Sequence, residues 1–321
     1  MFSILLSVFL FILGFFILIK GADFVIRGAT SIARFLGVSE WLVGVVIVGI
    51  GTSLPELAIN ITSAWQGTPV GVGTILGSNI FNMLGIMGII AFVAPVTLRP
   101  EWIKRDLLIN IGAVIASGAV LFLSVTGSDF MGITRLEALF LFILFITWMR
   151  FMAIRKDDDV IHPHHEQADI AAWHISALLI VAGLVGVFLG SDWIISGAEK
   201  IARHAGVSES LIGLTIVALG TSVPEIAVSL SAIVKRNISI AVGNILGSNI
   251  FDLLGIFGIA GMIVPIKVLD IFVFDYLYLL TTAILIFTFM FVGKHYTVSR
   301  TQGLFIFLLY LAYILVITLR G

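Results

Sequence analysis

Apolar residues run through this chain in long blocks separated by short polar breaks, and block length decides the kind of element they build. A stretch of roughly 20 apolar residues matches the hydrocarbon thickness of a bilayer when wound as a helix. The breaks predict ten such spans, near residues 2–26, 41–65, 71–94, 107–126, 136–154, 171–196, 210–234, 239–264, 271–292 and 302–319. One sizeable polar stretch, Arg155 to Asp169 (RKDDDVIHPHHEQAD), divides the chain near its middle. The expected organisation is all-α, with a five-helix repeat at 1–154, a linker at 155–170 and a second five-helix repeat at 171–321. The first apolar block has no basic leader and no small-residue cleavage site, so it is expected to stay as a span and not to be removed as a signal peptide.

The two halves repeat in detail. Gly51-Thr52-Ser53-Leu54-Pro55-Glu56 returns as Gly220-Thr221-Ser222-Val223-Pro224-Glu225. The run Gly73 to Ile89 (GTILGSNIFNMLGIMGI) returns as Gly243 to Ile259 (GNILGSNIFDLLGIFGI), matching at 13 of 17 positions. Gly37-Val38-Ser39-Glu40 pairs with Gly206-Val207-Ser208-Glu209 at an offset of 169, and Pro95 with Pro265 at 170. An odd number of spans per half makes the second half enter the membrane from the opposite side, so the repeats are expected to be inverted about an axis in the membrane plane. Basic residues give an independent orientation. With the N-terminus outside, only Arg135, Lys200, Arg203, Lys267 and Arg320 of the 18 Lys and Arg residues face outward. Both termini are then outside, the central loop is cytoplasmic, and the setting is the plasma membrane.

Composition narrows the class. The chain is 60% apolar and 12% charged, with a mean hydropathy of +1.16, against about 25% charged residues in soluble domains. Lipid is the expected solvent for most of its surface. A net charge of −1 gives no electrostatic case for nucleic acid. Without cysteine there are no disulfides or thiolate metal sites. Neither a resident cofactor nor an obligate protein partner is indicated.

The chemistry lies in the repeated motifs. A carboxylate inside a span is costly and marks a functional site by default, and here it is placed twice. Residues four apart share a helix face, which aligns Thr52 with Glu56, Thr221 with Glu225, Ser78 with Asn82, and Ser248 with Asp252. Pro55 and Pro224 remove a backbone donor and kink the helix, which frees carbonyls around Gly49 to Gly51 and Ala218 to Gly220. Gly51 and Gly220 are expected to let the chain bend and another backbone approach, and Gly77 and Gly247 to favour tight helix contact. Carboxylate, hydroxyl and carbonyl oxygens together suit a hard cation such as sodium or calcium. No Lys or Arg lies at comparable depth to neutralise Glu56 or Glu225, so the counter-charge is expected from solution ions.

These motifs resemble the alpha-repeats of the sodium/calcium exchangers, within the cation/calcium antiporter superfamily, in a prokaryotic form with a short central loop. The likeness covers nearly the whole chain. It implies a secondary antiporter, not an enzyme, that exchanges sodium for calcium by alternating access. Its ion ligands would be Thr52, Ser53 and Glu56 with Ser78 and Asn82 in the first half, and Thr221, Ser222 and Glu225 with Ser248 and Asp252 in the second. The carbonyls of Gly49 and Ala218 match positions that coordinate sodium in the family. Glu56 and Glu225, with Thr52 and Thr221, would hold calcium, and sodium would occupy overlapping sites. The first and sixth spans would be long, tilted and able to slide. The loop of about fifteen residues is too short for the regulatory domain of animal relatives. Asp252 is the acid that potassium-dependent relatives carry, which leaves potassium co-transport open.

Three acids facing one divalent cation leave an unmatched negative charge, and Asp252, outside the GTSxPE motifs, is the expected carrier of a proton. Exchange of about three sodium ions per calcium would then be electrogenic. Potassium-dependent or calcium/proton exchange is the alternative within the class. An intramembrane protease is disfavoured by the lack of HExxH and GxGD. A passive channel is disfavoured by two asymmetric half-sites, which suit occlusion better than a conduction ring. The His162, His164 and His165 loop with Asp157 to Asp159 reads as a solvated charge run. Asp23 and Asp192 are expected to hold the sliding helices.

Overall fold

The computed structural model describes residues 2–123, 131–154, 172–204, 220–292 and 295–320. The central loop, the Gly206–Glu209 repeat and Ala218 lie outside the described residues. In chain order the helices are α1 (Phe2–Leu36), α2 (Glu40–Thr52), α3 (Leu54–Gln66), α4 (Val70–Val93), α5 (Pro100–Leu123), α6 (Arg135–Ile154) and α7 (Trp173–His204). They continue with α8 (Val223–Val234), α9 (Ile238–Ile263), α10 (Phe272–Phe289) and α11 (Arg300–Arg320). Among the described residues, eight helices are long and apolar enough to cross a bilayer, or nine with the bent pair α2–α3 counted as one. The seventh predicted span, near 210–234, is described only from residue 220, where α8 has 12 residues.

Two helices outrun their predicted ends. Arg27 and Arg34 break the apolar block, but they are good helix formers, and α1 continues to Leu36. It stops at Gly37, whose φ of +64° and bonds Val38 N–H to Ala33 O (2.9 Å) and Gly37 N–H to Arg34 O (3.2 Å) form a Schellman cap. α7 likewise runs on to His204.

α1 and α7 pack against each other along their length in opposite directions. Their seam sets glycine at every seventh position of α1 against Gly190, Gly183 and Ser176 of α7. A Cβ on Gly14 would lie 2.9 Å from Gly190 O, one on Gly21 2.7 Å from Gly183 O, and one on Gly28 2.7 Å from Ser176 O. Ser176 also donates to Ser31 Oγ at 2.9 Å. Backbones this close leave room for no side chain, an arrangement favoured in membranes, where contact rests on packing.

The halves interlock elsewhere too. Short antiparallel ribbons pair β1 (Val96–Thr97) with β4 (Thr297–Val298), and β2 (Gly132–Ile133) with β3 (Ile266–Lys267). The end of α4 packs on α11 through Gly88 and Gly303, and the end of α9 packs on α6 through Gly258 and Gly261. Each half's last helix therefore covers the other half's third span. The most enclosed helices are the middle stretches of α4 and α9, which carry the repeated GSNIF motif.

Candidate functional site

The site forms where α2, α3, α4, α8 and α9 meet. Its geometry starts from a break repeated in each half. Ser53 (φ −86°, ψ 11°) leaves the helical line between α2 and α3, which bend by 44°. Ser222 (φ −93°, ψ 4°) does the same before α8. Pro55 and Pro224 then occupy the first turn of the new helix, where a missing N–H costs nothing. Glu56 and Glu225 sit in the same turns, at the positive end of the helix dipole.

This corrects the expectation for Gly51 and Gly220. The chain turns at the serines, and the space at those glycines is filled by side chains, Leu184 at 2.9 Å and Ile195 at 2.8 Å from an added Cβ. The close backbone approach belongs to Gly49, whose Cβ would lie 2.8 Å from Ser248 N and 2.9 Å from Gly247 C. Gly247 in turn presses on the Val45 backbone, whereas Gly77 meets nothing within 4 Å among the described residues. The stretch near residue 214 that corresponds to Val45 is not among them.

α4 and α9 each contain a π-helical stretch, Phe81–Ile86 and Phe251–Ile256. Such bulges are frequent at functional sites, and here each carries the polar residue that ends the motif, Asn82 or Asp252. The rings of Phe81 and Phe251 lie over Gly85 and Gly255, which leave the space they need. Nothing in the apolar pattern announced these bulges.

Hydrogen bonds across the site join one half to the other. Ser53 Oγ donates to Glu225 Oε1 (3.4 Å), Ser248 Oγ to Gly49 O (3.1 Å), and Thr52 Oγ1 to Asn244 Oδ1 (3.0 Å). Thr52 and Ser248 hydroxyls stand 3.3 Å apart. Asn79 Nδ2 donates to Asp252 Oδ2 (2.9 Å), and Asn82 Nδ2 to Asn249 Oδ1 (3.1 Å). The last two bonds join corresponding pairs of the internal repeat, with donor and acceptor exchanged. The Glu225 carboxylate faces Thr52 and Ser53, and that of Glu56 faces Thr221. Ser78 and Ser222 are buried, while Thr221 is partly buried. Of the expected ligands, only Ala218 is outside the described residues. Asn79, Asn244 and Asn249 were not expected, although two of them stand inside the repeated motif.

The electrostatics are unbalanced. Glu56 and Glu225 are 1% exposed and Asp252 is fully buried, yet no Lys or Arg is among the buried residues described. Both carboxylate oxygens of Glu56, Oε2 of Glu225 and Oδ1 of Asp252 have no hydrogen-bond partner, and neither do the amide oxygens of Asn79 and Asn82. Buried oxygens without donors are costly, and the carboxylates also repel one another. Among the described residues no three His, Cys, Asp or Glu side chains converge closely enough to hold a metal ion between them. The donor set is instead oxygen of mixed kinds, spread over several helices, which suits hard cations.

Asp23 lies away from this centre. It pairs with Lys235 Nζ at 2.7 Å and accepts from Ser231 Oγ at 3.0 Å, which ties α1 to the end of α8. Nearby, Asn237 donates to Glu40 Oε2 (2.8 Å) and Thr30 Oγ1 (3.3 Å). Asp192, its counterpart, is exposed. Asp23 therefore holds α1, as expected, through a bond that the repeat does not reproduce.

Comparison with known proteins accords with this arrangement. The sequence model of the family described as sodium/calcium exchanger protein matches residues 6–153 and 175–319. CaxA of Alkalimonas amylolytica is 35% identical over 295 residues, 88% of this chain and 90% of that one. The sodium/calcium exchanger MaX1 of Methanosarcina acetivorans is 27% identical over 327 residues, 90% of this chain and 91% of that one. Among solved structures, the sodium-calcium exchanger NCX_Mj soaked with neither sodium nor calcium superposes with a TM-score of 0.82 at 28% identity, over 98% of this chain and 99% of that one.

Proposed function

The chain belongs to the sodium/calcium exchanger family, and from that premise we propose that it is a secondary antiporter exchanging sodium for calcium across the cell membrane. One observation carries the reading. Four buried carboxylate oxygens from both halves, two of Glu56 and one each of Glu225 and Asp252, have no hydrogen-bond donor, and among the described residues no buried Lys or Arg meets them. Cations from solution supply the missing charge. Glu56 and Glu225 take calcium with Thr52 and Thr221. Sodium uses the same groups with Gly49, Ser53, Ser78, Asn82, Ala218, Ser222, Ser248 and Asp252.

Bonds at the site tie helices of one half to those of the other, so their relative placement sets the geometry offered to an ion. The antiparallel pair α1–α7, with its glycine seam, is suited to sliding over the remaining helices, arranged as ten spans in two inverted repeats. Related structures of NCX_Mj are described as capturing extracellular ion exchange and binding-site occlusion. The exchange of about three sodium ions for one calcium makes transport electrogenic.

A potassium requirement is the second reading. It is favoured by Asp252, an acid with a free oxygen where the first half has Asn82. Calcium uptake into sealed vesicles under an imposed sodium gradient, with and without potassium, tests both. Uptake that follows the gradient without potassium supports sodium/calcium exchange, and uptake only with potassium moves the assignment to the second reading. No gradient-driven uptake in either case rejects both.

A further inference from the structure

A hydroxyl that ligates a cation must turn its lone pairs to the ion, so its proton has to be parked on an acceptor elsewhere. Thr52 has three acceptors in reach besides the carboxylate it faces. Asn244 Oδ1 is at 3.0 Å, Gly49 O at 3.2 Å and Ser248 Oγ at 3.3 Å. Gly49 O is already used by Ser248 Oγ (3.1 Å) and the Ser53 N–H (3.3 Å). Asn244 is the nearest.

The orientation of its amide is set by what surrounds it. Nδ2 donates to Glu225 O (3.2 Å) and Ser229 Oγ (3.0 Å), which uses both of its protons and leaves Oδ1 facing Thr52. A flipped amide would set oxygen against the Glu225 carbonyl and lose that bond. Asn244 is fully buried, as is Thr52.

The repeat does not reproduce this device. Where the second half has Asn244, the first has Thr74, which bonds back to Val70 O at 2.9 Å. Where the second half has Ser229, the first has Asn60, which donates to Glu56 O at 3.0 Å from within its own helix. Each half thus has one amide on the carbonyl of its glutamate. Only the amide of Asn244 sits on the neighbouring helix, with its oxygen turned to the other half's threonine.

We propose that Asn244 is a positioning residue that holds the Thr52 hydroxyl proton away from the ion site, so that the Thr52 oxygen is pre-oriented to ligate. The inference rests on the reading of Thr52 as an ion ligand. Its test is a double-mutant cycle on the purified full chain, with sodium and calcium titrated by calorimetry. Asn244→Thr installs the residue of the first half. It should weaken binding ~10-fold, within the roughly 10–100-fold typical of residues that orient a ligand. In a Thr52→Val background, where no proton remains to be held, it should have no further effect, whereas in Thr221→Val the full factor should persist. Asn244→Ala repeats the cycle if the threonine variant does not fold.

The same factor in both backgrounds would overturn the positioning role and leave the exchange reading intact. Failure of both Asn244 variants to fold would assign the residue to packing and overturn the role as well. A wild-type protein that binds neither ion would reject the exchange reading, and the inference with it.

Discussion

At the residue scale, the site is a set of acceptors short of positive charge. Glu56→Gln or Glu225→Gln keeps the shape and removes a charge that offsets calcium in a low-dielectric interior. Losing one partner of a buried charge pair costs about 3–5 kcal/mol, or at least ~100-fold in affinity. Sodium-driven calcium flux should fall below detection in either variant while the protein still inserts and purifies. Wild-type flux in either would remove that glutamate from the site. Asp252 should behave differently. Asn82 already serves at the equivalent place, and in Asp252→Asn the amide oxygen would still accept the bond that Asn79 donates at 2.9 Å. Asp252→Asn should therefore retain exchange far better than Glu56→Gln, and equal loss would show that Asp252 must be charged. The carboxylates and hydroxyls were legible in the sequence because they are polar where lipid forbids it, and because they occur twice. Asn244 was not. It stands at one of the few positions where the repeats differ, so repetition does not mark it.

At the element scale, function depends on how closely helices approach. α2 meets α9 at Gly49, with Ser248 N and Gly247 C less than 3 Å from where a Cβ would sit. Gly49→Ala should push these helices apart at a cost of about 1–3 kcal/mol from overpacking, and displace the Gly49 carbonyl and Ser248 together. A lower melting temperature and lost calcium binding are expected, and unchanged binding would show that this contact does not set the site. The break between α2 and α3 was legible from Pro55, but its place at Ser53 was not. Proline marks the start of a new helix, and the residue that leaves the helical line depends on packing. The seven-residue glycine seam of α1 and α7 was present in the sequence, at 14, 21 and 28 and at 183 and 190. It went unread because glycine among apolar residues leaves the hydropathy pattern unchanged. The π-helical stretches at Asn82 and Asp252 have no hydropathy signature either.

At the scale of the whole molecule, the apolar pattern carried the predominantly helical membrane fold. It did not reveal the interlocking in which β1 pairs with β4 and β2 with β3, since pairing between distant segments depends on where the chain returns. Orientation rests on the asymmetry of basic residues. A cysteine introduced at Thr68 should label with an impermeant reagent from outside in sealed, right-side-out cells, and one at Asp158 should not. Labelling at Asp158 would reverse the orientation. The central claim is that the buried oxygens of both halves couple sodium to calcium, and it is tested most directly by calcium uptake into proteoliposomes driven by an outward sodium gradient at clamped membrane potentials. We expect uptake that stops when the gradient is collapsed, accelerates when the interior is made positive, and is absent with Glu225→Gln. Calcium entry that needs no sodium on the opposite side, or that survives Glu225→Gln, would contradict the account.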